Sequence, residues 1–253
     1  MSGVAKKAWP FSIKKNSNTL AILIHGFTGT PYDLWVLADF LAGHNIDIAV
    51  PLLSGHGGSM ETLARSNEED WYNSVLRSVK ENLDKYEKIF LVGYSFGANL
   101  ALQVSLACPQ ITAIISLGIP IMMRDERRIR LFLPIVKIFK KPYKKTWLSE
   151  EEQNNWQEFG KQEYISISNL VSFYHFIDEY TKKNLAEIKH PVLVIHSRDD
   201  VISSPLSSEY LFKNLTGTYD KHLFILNRND HNPVDTTRRD FIFTKTLQFI
   251  KRH

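Results

Sequence analysis

The residues best suited to chemistry in this chain are a serine, a histidine and a pair of aspartates, each placed at the end of an apolar run. Ser95 stands between Gly93 and Gly97 in "LVGYSFGANLALQVSLA". His231 follows "KHLFILN" within "RNDHNPVD", and Asp199 and Asp200 follow "HPVLVIH" within "SRDDVIS". A serine hydroxyl is a poor nucleophile until a base takes its proton, and that base must itself be oriented by a third group. The G-x-S-x-G spacing suits a serine at a sharp strand-to-helix turn. Such a turn lifts the hydroxyl clear of the sheet and above a helix N-terminus, whose amides favour developing negative charge. Side chains two residues to either side would collide, which accounts for the glycines. A small residue flanked by glycines also arises by chance; the strand pattern before Ser95 and the helical pattern after it favour the nucleophile. An acid and then a histidine follow the serine, in the order expected for a nucleophile of this kind. Neighbouring residues leaving a strand point in different directions, so only one of the two aspartates should reach His231.

These residues need a scaffold, and the apolar patterning supplies one. "TLAILIHG", "NIDIAVPLL", "KIFLVGY", "ITAIISLG", "HPVLVIHS" and "KHLFILN" read as strands. Between and after them, "YDLWVLADFLAGH", "EEDWYNSVLRSVKENLDKY", "PLSSEYLFKNL" and "RRDFIFTKTLQFIKRH" have helical periodicity. Strands alternating with helices of this length predict a parallel sheet covered on both faces, with its ligands at the carboxyl ends of the strands. Residues 121–186 interrupt the alternation with charged and aromatic residues in a helical pattern and no convincing strand. Connections in such folds are normally a few residues long, so this segment is expected to be an insertion lying over the site. The domain expectation is a core of residues 1–120 and 187–253 with an inserted cap of 121–186.

Composition removes several other classes. The chain has 253 residues, 43% hydrophobic and 23% charged, the balance of a globular protein that buries a core without staples. Cys108 is the only cysteine, so no intramolecular disulfide can form and a packed, inert thiol is expected. The net charge of +4 is local: residues 124–145 carry a balance of +7, leaving −3 for the remainder. A nucleic-acid surface would need a basic face built from several elements, and none is seen. The histidines are not clustered at metal-ligand spacing, so no metal is expected. No apolar run approaches the ~20 residues that span a bilayer, and the opening residues lack the apolar region of a secretory signal. The expectation is a cytoplasmic protein.

Several stretches together resemble the α/β-hydrolase superfamily, and within it the bacterial carboxylesterases and monoacylglycerol lipases. "LIHGFTGTPYDLWVLADFL" is similar to the family's H-G-F-x-G-[ST]-P segment, "PLLSGHGGSMETL" to its P-x-L-x-G-H-G loop, and "EEDWYNSV" to the helix that follows. "LVGYSFGANLAL" resembles the nucleophile elbow and "VLVIHSRDDVISS" the acid loop. The likeness covers about residues 19–118 and 190–250. It implies an α/β-hydrolase fold, a mostly parallel central sheet with helices on both faces and a small, mainly helical cap inserted after strand 6. It implies Ser95 as nucleophile and His231 as general base and acid. The family's D-x-V-[VI]-P aligns on Asp199, with Asp200 in reserve, because Ser203 replaces the usual proline and loosens the register. Asp230 replaces the usual glycine before the histidine and would bring a second carboxylate. The implied oxyanion hole is the backbone N–H of Phe27 and of Phe96, with His25 bracing the loop, and no cofactor is implied.

The implied reaction is hydrolysis of a small-molecule carboxylic ester with an apolar acyl group. The same three residues would also serve a thioester, an amide or a carbon–carbon bond, and a catalytically silent binding protein on this scaffold is the reading from another class. Within the insertion, Ile129, Leu131, Phe132, Leu133, Ile135, Val136, Ile138 and Phe139 interleave with Arg and Lys, and Pro134 and Pro142 break the run. Its apolar side is expected to line an acyl pocket. For its basic side a solvated face is the expectation, ahead of contact with a membrane surface. Tyr164, Phe173, Tyr174, Phe176 and Tyr180 are expected mainly in the core of the cap.

Overall fold

The computed structural model describes residues 8–124, 126–127, 129–131, 142–144, 160, 164–227, 231 and 237–253. Its strands are β1 (Phe11–Ile13), β2 (Thr19–Ile24), β3 (Asp47–Val50), β4 (Lys88–Tyr94), β5 (Ala113–Leu117), β6 (Tyr143–Lys144), β7 (Tyr164–Ile165), β8 (Val192–Ser197) and β9 (Lys221–Leu226). The main helices are α1 (Trp35–Ala42), α2 (Met60–Ala64), α3 (Glu68–Lys80), α4 (Phe96–Ala107), α5 (Ile167–His175), α6 (Leu206–Asn214) and α7 (Arg239–Arg252). Seven strands form one sheet in the order β1-β3-β2-β4-β5-β8-β9, parallel throughout except for the antiparallel edge strand β1. That three-residue edge strand is too short to register as a strand pattern in the sequence.

The central strands are apolar on both faces because helices cover both. Leu20, Ile22 and Ile24 of β2, Ile89 and Leu91 of β4 and Val192 and Val194 of β8 enter one core, shared with α3 and α4. Their alternating neighbours Ala21, Leu23, Phe90, Val92, Leu193 and Ile195 enter a second core under α1 and α7. Period-two alternation thus divides each strand between two cores. In α3, Trp71, Val75 and Val79 recur at helical spacing and are buried. Its start is fixed by a capping box in which the Asn67 side chain accepts from the amides of Glu69 and Asp70, while Asp70 accepts from the Asn67 amide. Such a cap contributes about 1 kcal/mol.

Among the described residues the strand that precedes the inserted segment is β5. Within the insertion, β6 and β7 form a two-stranded antiparallel pair where no strand was expected. Each is two residues long, too short for alternation to show. Helix α5 continues through a π-helical turn, Phe176–Thr181, into a short helix, Lys182–Asn184. Asn169, fully buried, donates to the carbonyls of Leu63 and Ser66 and so fastens α5 to the segment between α2 and α3. Arg130 pairs with Glu126 at 2.6 Å and Asp178 at 2.7 Å, joining the start of the insertion to its end. Phe173, Tyr174 and Phe176 are buried, whereas Tyr164 and Tyr180 are exposed. Ile129 is half-buried and Leu131 exposed; Phe132, Leu133, Pro134, Ile135, Val136, Ile138 and Phe139 lie outside the described residues. No helix among the described residues is long and apolar enough to cross a membrane.

Candidate active site

The site is assembled at the carboxyl ends of β2, β4, β8 and β9. Between β4 and α4 the chain reverses on Ser95, whose backbone stands at φ 52°, ψ −127°. A non-glycine residue there is strained by about 1–3 kcal/mol, tolerated only where the surroundings dictate it. The Ser95 amide donates to the Leu117 carbonyl at 2.8 Å, extending the sheet ladder to the turn. The glycines on either side leave no room for a side chain. A Cβ on Gly93 would stand 2.3 Å from the Ala98 Cα, and one on Gly97 would stand 2.2 Å from the Ile24 carbonyl oxygen. Strand and helix can therefore pass this closely only with glycine at both places.

The register Ile24↔Gly93 between β2 and β4 lays residues 25–27 beside the turn. His25 is wholly buried: its Nδ1–H donates to the Gly26 carbonyl at 3.0 Å, and its Nε2 accepts from the Leu53 amide at 3.1 Å. Burial pushes its pKa down to about 4, so the ring is neutral and joins two loops. The Gly29 amide closes the turn onto Gly26 at 3.0 Å. The Phe27 ring lies among Phe96 (6.1 Å), Trp71 (5.3 Å) and Phe173 (5.1 Å, stacked). Phe96 is the first residue of α4, so its amide has no carbonyl within the helix to bond. His56 packs edge-on against His25 and Trp71, with its Nδ1 at 3.0 Å from the Ser54 carbonyl oxygen.

His231 Nε2 lies 3.0 Å from Ser95 Oγ, and His231 Nδ1 lies 2.6 Å from Asp200 Oδ2. Sequence alignment favoured Asp199; the carboxylate against His231 is that of Asp200, which is fully buried, whereas Asp199 is exposed. Burial and hydrogen bonding choose between the neighbours. Asp200 turns inward because its Oδ1 accepts from the amides of Ile202 and Ser203, both at 2.8 Å. Burial alone would raise its pKa, but His231 and His196 outweigh that and hold the carboxyl below the usual carboxylate range. Asp230 lies outside the described residues.

Ser203 helps to fix the acid loop in place. Its amide holds Asp200, and its hydroxyl donates to the Ile119 carbonyl at 2.8 Å. The Ser207 hydroxyl accepts from the Met122 amide at 2.8 Å, and the Arg124 guanidinium donates to the carbonyls of Asp200 and Arg198. These residues tie the acid loop to the first residues of the insertion. Sequence reasoning passed over them because a serine and an arginine acting on backbone carbonyls carry no motif. A serine hydroxyl in reach of an imidazole that is itself held by a buried carboxylate is equipped to pass its proton to that imidazole and attack a carbonyl. Among the described residues no group of His, Cys, Asp and Glu could hold a metal ion. Cys108 is buried, which pushes its thiol pKa up.

A mostly parallel sheet with helices on both faces, a strained serine between strand and helix, and an acid and a histidine in the loops after later strands make this an α/β hydrolase. A solved structure of a metagenome-derived lipolytic enzyme superposes with a TM-score of 0.82 at 20% identity, over 99% of this chain and 100% of that one. Residues 15–235 match the model of the Hydrolase_4 family, described as serine aminopeptidase, S33, and the chain belongs to that family. It is 24% identical to a thermostable monoacylglycerol lipase of Bacillus sp. (strain H-257), over 99% of this chain and 97% of the relative. It is 25% identical to a carboxylesterase of Bacillus subtilis (strain 168), over 96% of each.

Proposed function

We propose that this chain hydrolyses carboxylic esters with an apolar acyl group, a medium- or long-chain ester or a monoacylglycerol, through an acyl-enzyme. The observation that carries the reading is the Ser95–His231–Asp200 chain, with contacts of 3.0 and 2.6 Å, built on a serine held at φ 52°. Ser95 Oγ attacks the ester carbonyl as His231 Nε2 takes its proton; Asp200 steadies the imidazolium through Nδ1. The oxyanion is received by the amides of Phe27 and Phe96, each worth about 3–4 kcal/mol in the transition state. His231 then protonates the departing alcohol, and afterwards draws a proton from water, which releases the acid and restores Ser95. These side chains and water suffice, without a cofactor. The ester bond is favoured by the monoacylglycerol lipase and carboxylesterase relatives, which match nearly end to end.

In the same reading residues 121–186 form the cap and line the acyl pocket. The stacking of Phe173 on Phe27, and its approach to Phe96 at 5.0 Å, support it by putting aromatic surface from the insertion beside both oxyanion residues. The lone buried Cys108 fits a reducing, cytoplasmic setting. The test is turnover of p-nitrophenyl butyrate, p-nitrophenyl caprylate and a monoacylglycerol by the wild type and Ser95→Ala, with fluorophosphonate labelling of Ser95. Ser95-dependent turnover that rises with acyl length is the expected result. Full activity in Ser95→Ala would overturn the mechanism. The family description also names an aminopeptidase, so amino-acid p-nitroanilides form the comparison arm: cleavage of these in preference to the esters would move the reading to an amide bond.

A further inference from the structure

His196, the fifth residue of β8, is a second imidazole beside the Asp200 carboxylate. Its side chain is fully buried, and its Nε2 lies 3.4 Å from Asp200 Oδ2 and 3.4 Å from the Ser203 carbonyl oxygen. Both neighbours are acceptors, so the ring proton belongs on Nε2; a bare nitrogen there would set its lone pair against two oxygens. Nδ1 is buried with no hydrogen-bond partner among the described residues. Protonating it would bury an N–H without an acceptor, at a cost of about 1–3 kcal/mol. The ring therefore donates through Nε2 to the Ser203 carbonyl, with Asp200 Oδ2 equally close to the same N–H.

Asp200 Oδ2 thus faces His231 Nδ1 at 2.6 Å and His196 Nε2 at 3.4 Å, while Oδ1 is occupied by two amides. We propose that His196 is a positioning residue for the Asp200 carboxylate: by sharing Oδ2 with His231 it limits the basicity of Asp200 and sets the pH at which His231 becomes a free base. The inference rests on the Ser95–His231–Asp200 reading. A carboxylate with fewer donors is more basic and draws more strongly on the neighbouring imidazolium, so removing the His196 N–H raises the pKa of His231. Among the described residues, the other charged or titratable groups about the pair include the Arg124 guanidinium on the Asp200 carbonyl, the exposed Asp199, Tyr94 with its ring 5.4 Å from that of His231, and the Ser95 hydroxyl. None of them is altered by a substitution at His196.

The experiment follows kcat/KM for p-nitrophenyl butyrate from pH 5 to 9 in the wild type, His196→Phe and His196→Gln. The acid limb should move up by about half a pH unit or more in His196→Phe and return toward the wild type in His196→Gln, whose amide supplies an N–H. Proton NMR of the low-field His231 Nδ1–H gives a readout without turnover, and that signal should move in His196→Phe. A wild-type measurement stands even if the Phe variant does not fold: nitrogen-15 spectra should find the His196 ring proton on Nε2. A proton on Nδ1, or an unmoved acid limb in a folded His196→Phe, overturns the inference, as does a uniform rate loss that Gln does not rescue. If ester turnover persists in Ser95→Ala, the mechanistic reading fails while the His196 tautomer remains a separate result. If turnover depends on Ser95 and the limb is unmoved, the inference alone fails.

Discussion

The turn that carries Ser95 and the loop that carries Asp200 stand two strands apart in one sheet, yet they are held by different means. Around Ser95 the constraint is steric: two glycines admit the close approach of β2, β4 and α4, and the loop of residues 25–27 is braced by a buried neutral histidine. Around Asp200 the constraint is a network of directed hydrogen bonds: amides from its own loop, the His231 imidazole, and side chains of Arg124, Ser203 and Ser207 reaching across to the insertion. Packing constraints tolerate no extra atom, whereas a network can lose one member and keep most of its shape. The two sides should therefore fail differently.

The largest effect expected separates the two aspartates. Asp200→Asn keeps the shape of the side chain but removes the charge beside His231 and permits the wrong tautomer, so kcat should fall about 10⁴-fold. Asp199→Asn, at an exposed position, should change kcat less than about threefold. Fluorophosphonate labelling rates and ester turnover, measured on both proteins, check this directly. Equal losses, or the larger loss at Asp199, would contradict the contact between Asp200 and His231.

This pair also marks where the sequence stops being legible. Ser95 and its glycines could be read because steric need leaves a residue type at a fixed spacing, and the strands could be read because two-sided burial makes them continuously apolar. His231 was readable from its place after a strand. The choice between Asp199 and Asp200 depends on which carboxylate meets the amides of Ile202 and Ser203, and that follows from the local turn rather than from either residue's chemistry. Neither Ser203 nor Ser204 is the proline that would have set the register, and the use of both the amide and the hydroxyl of Ser203 appears only in three dimensions. Likewise β1, β6 and β7 are too short to impose periodicity and owe their existence to the partners beside them.

On the steric side, Gly97→Ala should be the most damaging small change. Its Cβ would fall 2.2 Å from the Ile24 carbonyl oxygen and 2.7 Å from that of His25, both backbone atoms that cannot yield without moving β2. The expected cost is about 3 kcal/mol of stability with loss of esterase activity, read from urea unfolding and turnover together. A fully active, equally stable Gly97→Ala would show that close packing is not what places the serine.

His25 gives the steric side a pH signature. Its pKa in the folded chain is about 4, against about 6.5 in an unfolded one, because burial penalises its charged form. Between those values the unfolded state binds more protons, so stability is full above about pH 6.5 and declines as the pH falls toward 4. The decline from pH 7 to pH 5 should be about 2 kcal/mol, and His25→Gln should flatten it while losing some stability at pH 7. The depressed carboxyl of Asp200 acts in a lower window, its contribution present above about pH 4 and lost below, so the two can be told apart by titration.

The smallest effect tests the resilience of the network. Ser203→Ala keeps the amide that holds Asp200 but removes the hydroxyl from the Ile119 carbonyl, and should cost about 1 kcal/mol of stability. Activity should fall less than about tenfold, because Ile202 still holds Oδ1 and Arg124 still clamps the Asp200 carbonyl. Ser203→Pro removes the amide as well, so its activity loss should exceed that of the Ala variant by several-fold. Urea unfolding and kcat on the pair decide the matter. If Ser203→Ala alone abolished turnover, the acid side would be as intolerant as the serine side, and the contrast between packing and network would fall with it.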